Sequence, residues 1–193
     1  MPGSYSVLAI CGSLRAASYN GGLVRAATAL APPGMTVEIY GDLATIPPYN
    51  ADLDTIAPPA PVAALRERIN AVDGLLLATP EFNYSIPGVL KNALDWASRV
   101  AVGVPALRHK PIAIMGASPG NFGSVRAQLA LRQMFLWTDS RVVVKPEVIV
   151  FRAHERFDDT GNLSDDATRA LIEDLLASLA RLIDLHRTVG DAP

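Results

Sequence analysis

Short uninterrupted apolar runs recur along the chain and are typical of strands buried on both faces of a parallel sheet. They occupy residues 7–10, 75–78 and 111–116. Val37, Ile39 and Tyr40 instead alternate with polar residues, which predicts an edge strand. Residues 141–144 predict a fifth strand, and Pro146 removes a ladder donor, so 147–150 is predicted to be a bent or edge continuation.

Apolar residues at helical spacing follow each of these strands. They predict helices that start near Asn20, near Val62, at Pro87 and shortly after Ser124, with the last of these running through about Phe135. A closing helix is predicted to be capped by Ser164 and to carry a long leucine and isoleucine stripe. The proline-rich stretch 41–61 between the second strand and the second helix is predicted to be a long surface loop.

This alternation of strands and helices predicts an α/β fold, an open parallel sheet with helices on both faces. We expect residues 1–193 to form a single domain, because no repeat or composition shift divides them. Ligands of such sheets bind beyond the carboxyl ends of the strands, where the winding direction reverses. The loops after strands one, three and four should therefore converge on one site.

Charge and cysteine usage exclude several classes of protein. Seventeen basic and nineteen acidic residues give a formal net charge of −2, which provides no basic surface for nucleic acid or for an anionic membrane. The N-terminus lacks a basic segment followed by a long apolar one, so a cytoplasmic protein is expected. The single cysteine, Cys11, is predicted to be a small core residue.

The loop after the first strand carries Ser13, Arg15, Ser18, Tyr19 and Asn20 beside a predicted helix N-terminus. Unpaired helical amides and the helix dipole favour a phosphate there, and these side chains can add donors. The alternative to a phosphate site is that this loop is only a well-capped connection between a strand and a helix, without a ligand. Gly12 is expected to permit the tight turn.

Three stretches carry a resemblance to a known family. Gly12-Ser13-Leu14-Arg15-x-x-Ser18-x-Asn20 resembles the phosphate loop of the NAD(P)H-dependent FMN reductases, the flavodoxin-like family that includes quinone and chromate reductases. Pro80-Glu81-Phe82-Asn83 resembles the family's flavin-facing Pro-Glu-Tyr-Asn loop, and 46–52 resembles the corresponding proline-rich loop. The resemblance implies a flavodoxin-like, doubly wound five-stranded sheet in the order 2-1-3-4-5.

The resemblance also implies a bound FMN, with NADPH or NADH as co-substrate. The cofactor-binding residues that it implies are Ser13, Arg15, Ser18, Tyr19, Asn20, Pro80, Glu81, Phe82, Asn83, Tyr84 and Ser118. No side chain is assigned a catalytic role, because the chemistry takes place at the flavin N5; Glu81 is expected to be a wall or hydrogen-bonding residue. Two positions depart from the family, since Phe82 replaces a tyrosine and Leu129 stands where some relatives carry one.

Competing motifs are missing from the sequence. No Gly-x-Gly-x-x-Gly follows the first strand, so Asp42 has no dinucleotide turn to serve, and neither a P-loop nor a Gly-x-Ser-x-Gly elbow is present. His109, His154 and His186 are far apart in sequence and in different elements, so no metal site is expected.

The resemblance thus implies an oxidoreductase that passes a hydride from NAD(P)H to bound FMN and then to a small acceptor such as a quinone, chromate, ferric, azo or nitro compound. A homodimer or homotetramer is expected by resemblance, with Tyr84, Arg126 and Glu147 as candidate contacts between subunits. A flavodoxin-type one-electron carrier with protein partners is the alternative, and a phosphate-binding module without redox activity is the third possibility.

Overall fold

A computed structural model describes residues 3–99 and 103–190. Over these residues strands and helices alternate from the first strand to the fourth helix, as the apolar pattern predicts. The strands are β1 (Tyr5–Cys11), β2 (Met35–Tyr40), β3 (Gly74–Ala78), β4 (Pro111–Ala117), β5 (Arg141–Val142) and β6 (Val148–Val150). The helices are α1 (Tyr19–Ala29), α2 (Ala60–Ala71), α3 (Gly88–Ser98), α4 (Val125–Trp137) and α5 (Asp166–Gly190).

All of these strands join one parallel sheet in the order β2-β1-β3-β4-β5, which confirms the predicted order. The fifth position is divided between two short strands, because β5 pairs with the start of β4 and β6 pairs with its end. Pro146 lies between them, as expected for a residue that cannot donate to the ladder. The predicted strand over 141–144 is therefore shorter than expected, and its continuation at 148–150 is confirmed.

The central strands bury alternate residues against two separate groups of helices. In β1, Val7 and Ala9 face a core formed with α1 and α5, whereas Leu8 and Ile10 face a core formed with α2, α3 and α4. Strands β3 and β4 alternate in the same way. Helices thus cover both faces, which explains why these strands are apolar at every position.

One local prediction needs correction. The cap of α5 is Asp165, whose carboxylate accepts from the Thr168 amide at 2.9 Å, whereas the hydroxyl of Ser164 donates to the Arg156 carbonyl. A carboxylate suits this place better because it also complements the helix dipole. The chain bends at Gly12, directly after β1, and a Cβ there would lie 2.9 Å from Leu90 Cδ2.

The loop between β2 and α2 is fixed to helix α3 by side-chain hydrogen bonds. Asn92 accepts from the Tyr49 amide at 2.7 Å and donates to the Pro47 carbonyl at 2.8 Å. Trp96, which is fully buried, donates its indole N–H to the same carbonyl. The proline-rich stretch 46–52 is therefore an anchored surface connection.

Within the described ranges, none of the helices has the length and apolar character that a bilayer crossing requires.

Replacing Asn92 by Ala is expected to lower the free energy of unfolding by about 2 kcal/mol, since it removes two hydrogen bonds and leaves a backbone donor at Tyr49 unpaired. Urea unfolding measures the difference. The matched control is Asn70→Ala, at an exposed position of α2, where we expect a change of less than about 0.5 kcal/mol. Equal changes in the two variants would show that the hydrogen bonds of Asn92 add nothing to the free energy of unfolding.

Candidate functional site

A cleft of about 490 Å³ opens at the carboxyl ends of the strands, where the loops after β1, β3 and β4 meet. The strand order reverses direction between β1 and β3, so the cleft lies where open α/β sheets bind their ligands. Its lining consists of Ser13, Arg15, Ser18, Tyr19, Asn20, Pro80, Glu81, Phe82, Ala117, Ser118 and Pro119.

Most of the predicted site residues are brought together in this lining, and two are not. Asn83 and Tyr84 are exposed and lie outside the lining, on the far side of a tight turn. Ala117 and Pro119 line the cleft and were not singled out, although they flank Ser118 in a loop that the sequence places at this edge. Their small apolar surfaces carry no motif by which sequence reasoning could select them.

The N-terminus of α1 forms one end of the cleft. Tyr19 and Asn20 are the first two helical residues, so their backbone N–H groups have no partner within the helix. Ser18 is the N-cap and accepts from the Gly21 amide at the long distance of 3.5 Å. The Arg15 guanidinium lies beside this end, 5.7 Å from the centre of the Tyr19 ring. Helical amides, a hydroxyl and a guanidinium are the groups that favour an anion at a helix N-terminus.

Asn20 lines the cleft and also joins it to the sheet. Its side-chain amide donates to the carbonyl of Ala117 and accepts from the amide of Ala117, both at 2.9 Å. Asn20 is only 3% exposed, so this pair is shielded from water and holds the start of α1 against the end of β4. The part of Asn20 in binding a phosphate stays a prediction.

The loop after β3 forms the facing wall. Phe82 and Ser85 exchange two backbone hydrogen bonds, of 3.2 and 2.9 Å, around the central residues Asn83 and Tyr84. Both central residues have positive φ, 49° and 67°, which is the backbone conformation of a type I′ turn. An aromatic residue such as Tyr84 adopts this conformation at a cost of about 1–2 kcal/mol, so neighbouring contacts must hold the turn.

Glu81 caps helix α4 from outside the helix. Its carboxylate accepts from the backbone amides of Arg126 and Ala127 at 2.9 and 3.4 Å, and it also binds the Arg126 guanidinium. The side chain of Glu81 is only 7% exposed. The expectation that Glu81 is a wall or hydrogen-bonding residue agrees with this arrangement, and the N-terminus of α4 is not free to bind an anion.

The third loop begins with Ser118 and is held close to the sheet. The Ser118 amide donates to the Val150 carbonyl at 3.0 Å, and its hydroxyl accepts from the Gly120 amide at 3.2 Å. At Gly116, the second-to-last residue of β4, a Cβ would lie 1.9 Å from the Ser124 Oγ and 2.3 Å from the Thr79 carbonyl oxygen. Only glycine leaves room for these two groups beside the end of β4.

The remaining titratable candidates do not form a second catalytic group. Cys11 is partly buried at the end of β1, and burial raises the pKa of its thiol, which keeps it protonated. Burial and the neighbouring charges of Arg141, His109 and Lys110 lower the pKa of His186. Within 3–99 and 103–190 no three histidine, cysteine, aspartate or glutamate side chains lie close enough to hold a metal ion.

The cleft fits a phosphorylated, planar ligand such as FMN. Its volume lies within the range of small-molecule sites, about 300–1,000 Å³. The unpaired amides of Tyr19 and Asn20, with Arg15 and the hydroxyls of Ser13 and Ser18, could hold the phosphate. Pro80, Phe82, Ala117 and Pro119 offer the mostly apolar walls that a ring system needs.

Comparisons with known proteins show which family this chain is similar to. The family model described as NADPH-dependent FMN reductase matches residues 5–155. An NAD(P)H-dependent FMN reductase of Pseudomonas aeruginosa is 47% identical over 179 residues, covering 93% of this chain and 95% of the relative. A quinone reductase of Escherichia coli K12 is 40% identical over 164 residues, covering 84% and 86%.

Solved structures extend the likeness to three dimensions. A flavoenzyme NAD(P)H:(acceptor) oxidoreductase from Paracoccus denitrificans superposes with a TM-score of 0.83 at 32% identity, covering 94% of this chain and 98% of that one. The family match includes β1 to β6 and all three loops that form the cleft. The chain therefore belongs to the NADPH-dependent FMN reductase family.

Proposed function

We propose that residues 1–193 act as one FMN-binding oxidoreductase that uses NADPH or NADH to reduce small acceptors. The observation that carries the proposal is the convergence, in one cleft, of an anion site at the start of α1 with a ring-sized space between the loops after β3 and β4. Relatives named FMN reductase and quinone reductase, 47% and 40% identical, support the same activity.

The chain's own residues bind and orient the cofactor in this proposal. Arg15, Ser13 and Ser18 hold the phosphate with the first amides of α1, and the pair between Asn20 and Ala117 fixes that end of the cleft. Pro80, Glu81 and Phe82 wall one side of the ring, and Ser118 lies at its other edge. When bound, FMN supplies the redox chemistry, taking a hydride at N5 and passing the electrons to an acceptor.

The acceptors proposed are quinones first, followed by chromate, ferric, azo and nitro compounds. Pro80, Glu81 and Phe82 wall one side of the ring site and leave the other side open. Phe82 is 57% exposed and adds apolar surface at the rim. An open surface of this kind selects only weakly among small acceptors.

Cytoplasmic location and assembly into a homodimer or homotetramer remain predictions. Arg126 and Tyr84, two of the candidate contacts between subunits, already interact within one chain, with the guanidinium 3.6 Å from the ring centre. Glu147 pairs with Lys145 at 2.9 Å. Leu129 is 56% exposed on α4 and offers an apolar contact where some relatives carry a tyrosine hydroxyl. Light scattering over a range of concentrations distinguishes an oligomer from a monomer.

Arg15→Ala is expected to weaken FMN binding about 10- to 100-fold, because a guanidinium at a phosphate makes charge-assisted hydrogen bonds worth about 1.5–3 kcal/mol. Flavin titration of the apoprotein measures the dissociation constant. Arg181→Ala is the matched control. Arg181 is exposed on α5, far from the cleft lining, and donates a hydrogen bond to the Ser178 hydroxyl. Unchanged affinity in Arg15→Ala would remove Arg15 from the phosphate site.

Steady-state turnover with a quinone is expected to follow ping-pong kinetics. Because Pro80, Glu81 and Phe82 cover one side of the ring site, the nicotinamide and the acceptor are expected to occupy the same open side in turn. Parallel lines in double-reciprocal plots are the expected result. Intersecting lines would refute the shared site and leave the reductase activity standing.

The electron-carrier alternative is tested without any acceptor. Anaerobic mixing of the FMN-loaded protein with NADPH or NADH is expected to bleach the oxidised-flavin absorption band within the time of a turnover. A flavin that stays oxidised with both nucleotides, and is reduced only by a chemical one-electron reductant, would favour the carrier. A protein that stays colourless when FMN is added would instead favour the phosphate-binding module.

A further inference from the structure

A second pocket, of about 270 Å³, lies at the amino ends of β3 and β4, at the opposite edge of the sheet from the cleft. Its walls come from the end of α2, the loop that precedes β4, and the C-terminal part of α5. We call it the amino-edge pocket. Its lining and that of the cleft have no described residue in common, so the two sites are separate. The charged and titratable side chains that line it are Asp73, Arg108, Lys110, His186 and Arg187.

Positive charge exceeds negative charge in the amino-edge pocket. Asp73 is the one carboxylate in the described lining, and it is already occupied. It accepts from the amide and the hydroxyl of Ser6 at 2.7 and 2.9 Å, and from the Arg187 guanidinium at 2.7 Å. Among the described side chains, Asp73 makes no hydrogen bond with Lys110 or Arg108. These two cations therefore face the pocket without a carboxylate of its lining bound to them.

Lys110 has donors to spare in this pocket. It is half-buried, and its Nζ donates to the Val72 carbonyl at 2.7 Å. Burial lowers the pKa of Lys110, although the charge of Asp73 opposes the change, so the ammonium group is poorly hydrated. An ammonium group has three N–H donors, and the Val72 carbonyl uses one of them. The others are suited to an acceptor that also carries negative charge.

His186, on α5, faces the same cations. Burial lowers the pKa of His186, and the charges of Arg141, His109 and Lys110 lower it further. The Nδ1 of His186 and the Nε of Arg141 are buried, and neither has a hydrogen-bond partner within residues 3–99 and 103–190. Buried polar atoms are nearly always hydrogen-bonded, so this pair of atoms requires an explanation.

Carboxylates near this cluster do not neutralise it. Asp139 lies outside the lining, 3.6 Å from the Arg108 Nε and 3.4 Å from the His109 Nδ1. The C-terminal end of α5 favours nearby cations through the helix dipole and offsets part of the charge. The alternative to a ligand is therefore a cation cluster that the dipole and water stabilise by themselves.

We propose that the amino-edge pocket binds a small, doubly charged oxyanion of the phosphate and sulfate type, with Lys110, His186 and Arg108 as its ligands. The volume lies just below the range of about 300–1,000 Å³ that is typical of small-molecule sites, so it suits a free inorganic anion and not a nucleotide. Lysine and arginine bind such anions through charge-assisted hydrogen bonds, and a protonated histidine adds a further donor. None of these three ligands lines the cleft, so the site does not depend on FMN binding.

The test follows the histidine ring protons by NMR as the pH is changed, in chloride and in sulfate of equal ionic strength, with FMN in excess. Sulfate stays a dianion throughout, so a change reports the protein. A dianion beside His186 stabilises its imidazolium form, and the titration midpoint of this ring is expected to move to higher pH in sulfate. By linkage, sulfate binds more tightly to the protonated form, about tenfold for each pH unit of that movement.

His154 is the internal control for binding at the other edge of the sheet. It lies in a pocket with Arg15 and Tyr19, beside the start of α1. Sulfate bound there would move the titration of His154 and leave that of His186 unchanged. The resonance of His186 is assigned by its loss in His186→Gln.

Variants identify the ligands. Lys110→Met removes the half-buried charge and is expected to abolish most of the sulfate-dependent movement at His186. Arg108→Gln should reduce it, and its exposed position makes this variant safe for folding. Lys145→Met is the matched control, because Lys145 pairs with Glu147 at 2.9 Å and lies outside the pocket, and it should behave as the wild type.

Equal titration midpoints of His186 in chloride and in sulfate would overturn the proposal and leave the cluster to the helix dipole and water. A movement that persists in both Lys110→Met and Arg108→Gln, or one that appears at His154 instead, would overturn it as well. AMP, which carries a phosphate on a nucleoside, should move His186 much less than sulfate does. An equal effect of AMP would refute the assignment to a free inorganic anion.

Discussion

The side-chain amide of Asn20 makes two hydrogen bonds with the peptide of Ala117, and the geometry of the cleft depends on this pair. It joins the first turn of α1, which follows β1, to the end of β4, two strands away in the sheet. The pair is buried, so neither bond is weakened by competition with water. Together with the packing of α1 on the sheet, the pair sets the distance between the positive end of α1 and the loop at Ser118.

The N-termini of α1 and α4 both lie at this edge of the sheet, but only the start of α1 has amides left without a protein partner. Glu81 occupies the start of α4 with a buried carboxylate, so that end is satisfied by the protein. The start of α1 has only a serine cap at long distance, with Arg15 beside it, and keeps unpaired amides directed at the cleft. In the proposed site the phosphate therefore binds at the start of α1, and the ring extends from there toward Phe82 and Ser118.

The apolar pattern predicted most of the fold because each central strand is buried on both faces. Burial on both faces requires apolar residues along β1, β3 and β4, and such runs are visible in the sequence. It overestimated β5, where pairing ends after two residues, and it took Ser164 for the cap that Asp165 provides. These choices depend on neighbours distant in sequence. The strand order came from a family resemblance, since periodicity does not contain it.

The loop motifs were enough to predict which of their own residues lie at the candidate site. Ser13, Arg15, Ser18 and Phe82 line the cleft as expected, since motif residues at strand ends converge by topology. The roles of Asn20 and of Arg126 could not be predicted in the same way. Asn20 finds its partner 97 residues later in the chain, and Arg126 contacts aromatic rings in two separate loops. Only the folded distances show that one joins α1 to β4 and the other contacts the loops after β3 and β4.

The central claim, that the start of α1 holds the phosphate of a flavin whose ring fills the cleft, is tested most directly by titrating the apoprotein with FMN and with riboflavin. The two ligands share the ring and differ in the phosphate. Several charge-assisted hydrogen bonds, each worth about 1.5–3 kcal/mol, predict that FMN binds at least about 100-fold more tightly than riboflavin. Equal affinities for the two ligands, or no binding of either, would contradict the account.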